Sequence, residues 1–86
     1  MQVTELNDPI KVRVDFSSGG KVTPRLFTHG PRTFRVKRVN TRWEDRDANY
    51  KALRLTVTVT ESDDVFQLCF REKDLTWVLE KVMLPG

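Results

Sequence analysis

The chain has one cysteine, Cys69, and one histidine, His29. A single cysteine excludes an intrachain disulfide. A structural zinc site needs about four Cys or His ligands, so no metal site is expected. Nucleophilic catalysis needs a nucleophile, a base and an orienting group. His29 lies beside the Gly30-Pro31 corner and reads as a solvated or capping residue. No stretch approaches the ~20 apolar residues of a membrane helix. The opening Met1 to Pro9 is polar and lacks the apolar centre of a signal peptide. These absences lead us to expect a reducing compartment, a bacterial-type cytoplasm, with no membrane association.

Other chemistry is equally thin. Asp45, Asp47, Asp63 and Asp64 fall in two clusters that read as turn aspartates. Ser17-Ser18-Gly19-Gly20-Lys21 has a superficial likeness to a phosphate-binding loop. It lacks the GxxxxGK[ST] spacing, and a strand pattern, not a helix, follows it. No active site, cofactor or metal is expected.

Eighty-six residues suffice for one domain. A chain of this size buries only roughly 60–65% of its unfolded surface, so its stability margin is thin. The net charge is +3 and unevenly placed. Residues 1–43 hold nine Lys and Arg against three Asp and Glu, whereas residues 44–86 hold six against nine. Such a split is what a basic face and an acidic face would give, and equally what a solubilising surface would give.

Residues 1–9 show no periodicity and are expected to form a flexible arm, ahead of a single β domain over residues 10–84. From Ile10 to Phe16 apolar residues alternate with Lys11, Arg13 and Asp15, the period of a half-buried strand. Gly19-Gly20 supplies a hairpin turn. Val22 to His29 is a second strand, with Pro24 suited to an edge or a bulge. Thr33 to Trp43 is the longest candidate. A one-residue phase slip at Lys37-Arg38 reads as a β-bulge and places Phe34, Val36, Val39 and Trp43 on the core side.

A charged loop is expected over Glu44 to Asn49, then a strand from Tyr50 to Thr60, a turn at Glu61 to Asp64, and a fifth strand from Val65 to Arg71. Cys69 shares the outward parity of that strand and is expected to be partly exposed. The last segment, residues 74–84, fits both a strand beginning after a Lys73-Asp74 turn and a short C-terminal helix capped by Asp74. Pro85-Gly86 would end either. The fold class is therefore all-β: a small antiparallel meander of five to six strands curled into a barrel or roll. Val12, Val14, Phe34, Val36, Leu55, Val57, Phe66, Leu68 and Trp77 are the expected core.

Two features point to binding. The basic residues of the first half fall mostly on the side opposite the apolar ones. Arg13, Arg35, Lys37, Arg38 and Arg42 form a candidate nucleic-acid-binding face of the kind small β-barrels use. Phe16, Phe27, Phe34 and Trp43 share the core parity, which would leave few rings free to stack on bases. The second feature is strand edges: the Pro24 strand and the terminal strand, if left unpaired, would invite a protein partner or a second copy.

The run VDFSSGGKVTPRLFTHGPRTFRVKRVNTRWED, followed by FQLCFREKDLTWVLEKV, resembles a family of small uncharacterised bacterial β domains. Pro24 with Phe27, Phe34-Arg35-Val36 leading to Arg42-Trp43, and Trp77 with Leu79-Glu80-Lys81-Val82 carry the likeness, over about residues 10–84. The resemblance implies a small β fold. Some similar domains are associated with DNA-damage-tolerance polymerase proteins, which implies a nucleic-acid context. It implies no catalytic residue.

Overall fold

The structure, a computed structural model, describes residues 2–47 and 49–84. Met1 and Pro85-Gly86, parts of the expected arm and chain terminator, lie outside the described residues, as does Ala48 of the expected charged loop. Six antiparallel strands follow one another: β1 (Gln2–Phe16), β2 (Val22–His29), β3 (Arg32–Asp47), β4 (Tyr50–Val59), β5 (Val65–Arg71) and β6 (Thr76–Leu84). Each pairs with the next, and β6 returns to β1 to close the ring. The C-terminal segment is thus a strand, with no helix among the described residues.

Two long strands make the closure possible because each serves two neighbours. The first half of β1 pairs with β6, from Gln2 opposite Leu84 to Ile10 opposite Trp77. Its second half pairs with β2, from Lys11 opposite Thr28 to Phe16 opposite Val22. β3 likewise pairs with β2 over Arg32–Arg35 and with β4 from Val36 onward. A strand that changes partner midway is how a strongly coiled sheet curls round its core.

This corrects the expected flexible arm: residues 2–9 are the first half of β1. They carry no apolar alternation because most of their side chains are exposed and only Leu6 packs on the core. Backbone pairing holds them, and it covers what would otherwise be the open edge of β6. Asn7, at φ +54°, marks the bulge where the register slips between Glu5 and Asp8. The expected loop at Glu44–Asn49 is also largely strand: β3 and β4 remain paired out to Asp47 opposite Tyr50. Glu44, Asp45 and Arg46 are charged because this part of the hairpin is solvated.

β3 slips twice against β4. The expected bulge is present, with Lys37 the extra residue between Val36 and Arg38. A second slip makes Asn40 extra between Val39 and Thr41. The second reverses the parity again, so Trp43 does not face the core. It stands opposite Arg54, and Arg42 takes the position opposite the buried Leu55. Pro24 sits at the slip between β1 and β2, where Arg25 is the extra residue, and just beyond the last residue of β2 that pairs with β3. A proline needs a site that asks for no ladder donor, and this one does not.

The core is built on Phe27, Phe34, Leu55, Val57, Val59, Phe66, Leu68 and Leu79. The rings of Phe27, Phe34 and Phe66 pack mutually, with centroids 4.9–5.2 Å apart. Five of the nine expected core residues are buried. Val12, Val14, Val36 and Trp77 are half-buried because they lie toward the ends and seams of the ring. Phe16 has the core parity yet is 69% exposed.

Candidate nucleic-acid interface

The outer face of β1, β2 and β3 is built from alternate residues of three short ladders. Directly opposed residues share a face. Arg13 opposes Leu26, and Leu26 opposes Arg35, so the three form one row across the sheet. Two strand spacings separate the guanidinium-bearing strands, about 10 Å. Lys11, Thr28 and Thr33 form the adjacent row, with the two threonine hydroxyls 3.3 Å apart.

The five candidate residues do not all converge. Arg13 and Arg35 share the row, and both are exposed. Among the described residues Arg13 and Lys11 have no carboxylate within ion-pair distance. Arg35 is 3.7 Å from Glu61, whose carboxylate accepts a 2.9 Å hydrogen bond from the Arg35 backbone N–H. That backbone hydrogen bond holds the Glu61 carboxyl below its ordinary range. Lys37, the bulged residue, pairs with Asp63 at 3.2 Å. Arg38 lies beyond the bulge and donates to Asn40 at 3.0 Å. Arg42 is turned to the other side by the second slip. Its guanidinium donates to the Val22 carbonyl at 2.8 Å, bridging β3 to β2 where their ladder has ended.

Two expectations about aromatics change. Phe27 and Phe34 are core residues, but Phe16 and Trp43 are not enclosed. Trp43 is half-buried, with its indole N–H 3.3 Å from Asp45. The sequence could not place it, because the second slip leaves no apolar mark.

His29 is half-buried and hydrogen-bonded to Asp8 at 2.8 Å, a partner from the unexpected part of β1. Asp8 is its one side-chain hydrogen-bond partner among the described residues. Among the described residues no three His, Cys, Asp or Glu side chains gather where a metal could be held.

Cys69 is on the outward face, opposed by Arg54 on one side and Val78 on the other, yet it is 1% exposed. Burial pushes its thiol above the ordinary value, and the nearby Glu80 charge adds to this. Such a thiol is protonated and unreactive.

A second cluster of cations was not singled out in the sequence, because its members come from the acidic half. Tyr50, Lys51, Arg71 and Lys73 border a hollow of about 400 Å3 at the β4–β5 end of the sheet, floored by Ala52 and Cys69. Comparison with family models, with curated proteins and with solved structures finds no significant match to this chain.

Proposed function

We propose that this protein is a non-enzymatic binding module that associates with nucleic acid through the basic outer face of β1, β2 and β3. The observation that carries the reading is the row Arg13–Leu26–Arg35, with Lys11 beside it. Long cationic side chains on neighbouring strands can follow a phosphate backbone, and an apolar residue between them leaves room for a sugar or base. Phe16 and Trp43 supply aromatic surface that the core does not use. The resemblance to domains associated with DNA-damage-tolerance polymerase proteins points the same way.

Fluorescence anisotropy with a labelled single-stranded oligonucleotide, at low and moderate salt, tests this reading. Affinity should fall steeply with salt. Arg13→Ala and Arg35→Ala should each weaken binding and reduce the salt slope by about 1. Arg42→Ala should do less, since its guanidinium is engaged by Val22. No binding even at low salt would sink the proposal.

A second reading has its own observation. From Val36 onward β3 is paired with β4 alone, leaving its other edge without a ladder partner among the described residues. An added strand from a protein partner or a second copy would fit such an edge. The terminal strand does not offer one, being paired on both sides. A stable dimer in light scattering, with no oligonucleotide binding, would favour this reading.

A further inference from the structure

The hollow beside Tyr50 gathers three cations that form no ion pair among the described residues, on a side of the molecule that the basic row does not use. We propose that it binds the phosphate group of a phosphate monoester, held by Lys51, Arg71 and Lys73.

Three observations combine. First, Arg54, the fourth cation of the hollow, is neutralised by Asp45 and Glu80, whereas Lys51, Arg71 and Lys73 form no ion pair among the described residues. Among the described side chains the one carboxylate bordering this hollow is Asp74, which accepts a 2.6 Å hydrogen bond from Thr76. Second, Arg46 and Lys51 stand directly opposite each other in the β3–β4 ladder. Like charges in that relation destabilise a hairpin, and a neighbouring anion, whether Glu72 or a bound one, relieves the repulsion. Arg46, Lys51 and Lys73 also border a smaller hollow of about 160 Å3, together with Glu72, so the Tyr50–Lys73 pair is a wall between two recesses. Third, the Lys73 ammonium lies 4.7 Å from the centre of the Tyr50 ring. That contact holds the cation in place and occupies a face of the ring.

The chemistry of the ligand follows. An occupied tyrosine ring is a poor platform for a base, so recognition falls on the phosphate. A dianion with three acceptor oxygens matches one guanidinium fork and two ammonium groups. The buried floor, with its protonated thiol, adds no opposing charge. The larger hollow leaves space for a small organic group beyond the phosphate.

Backbone amide NMR, titrating the full chain with inorganic phosphate against chloride at matched ionic strength, tests the site. Saturable shifts are expected at Lys51, Arg71 and Lys73. Arg71→Ala and Lys73→Ala, both exposed positions, should each weaken binding about tenfold or more, and their amide spectra report whether the fold is intact. Arg13→Ala should leave the shifts at Lys51, Arg71 and Lys73 unchanged. Adenosine monophosphate against adenosine, and a 5′-phosphorylated oligonucleotide against its 5′-hydroxyl form, distinguish a small ligand from a strand end as the source of the phosphate. Tighter binding by either phosphorylated form supports the site. Shifts that never saturate, that chloride reproduces, or that spread equally over Lys11, Arg13 and Arg35 would overturn it. The outcome is independent of the oligonucleotide test above, which reads different residues.

Discussion

Arg54 and Glu80 join strands that are not neighbours: Nε of Arg54 on β4 donates to Glu80 on β6 at 3.0 Å, across β5. Glu80 reaches that far because it is the extra residue of a bulge in β6, opposite Gln67 and Leu68. Gln67 donates to the same carboxylate oxygen at 2.8 Å, and Arg54 also grips Asp45 at 2.6 Å. The cluster is a polar clasp on the outer face of the sheet.

The clasp has a pH signature. Burial alone would raise the Glu80 carboxyl, but the hydrogen bonds from Arg54 and Gln67 outweigh it and hold the group below its ordinary 4.5. A carboxyl depressed on folding contributes stability that is fully present above pH ~4.5 and is lost as pH falls through the lower folded value. Thermal melts across pH 2–6 should therefore show an acid limb that flattens in Glu80→Gln. At neutral pH Arg54→Ala should destabilise by about 1–3 kcal/mol, because it leaves a largely buried carboxylate without its cation. An acid limb identical in the Glu80→Gln protein would show that the clasp does not set it.

The Cys69 thiol should be inert in the folded protein. Titration with a thiol-reactive dye at neutral pH is expected to be slow in buffer and to reach one equivalent only in denaturant. Fast native-state labelling would contradict the burial beside Arg54, Arg71 and Glu80.

Phe66 packs against both Phe27 and Phe34. Phe66→Ala should cost about 3–5 kcal/mol, a large share of the stability of so small a domain. Denaturant unfolding measures this directly. A midpoint close to that of the parent protein would mean that the three rings do not form the centre of the core.

Removing residues 1–9 should open the ring. The amides of Lys81 to Leu84 in β6, which face the first half of β1, should then lose protection in hydrogen exchange, and the melt should shift to lower temperature. Unchanged protection would restore the expectation of a flexible arm.

What the sequence determined by itself was the class of fold and its order. Period-two alternation at Ile10–Phe16, Tyr50–Thr60 and Val65–Arg71 reports directly which side chains leave water, and the Gly20 turn and the Lys37 bulge are local features with local marks. The tertiary structure alone decided three things. Residues 2–9 are a strand because β6 needs a backbone partner, and backbone pairing writes no apolar pattern. Trp43 and Arg42 exchanged faces because a second extra residue, Asn40, reverses parity without altering composition. The charged residues sorted into sites by partners far away in the chain: Lys37 to Asp63, Arg54 to Glu80, and Arg42 to the Val22 carbonyl. Which cations remain free for a ligand depends on which are already neutralised, and that is settled only when strands distant in sequence lie side by side.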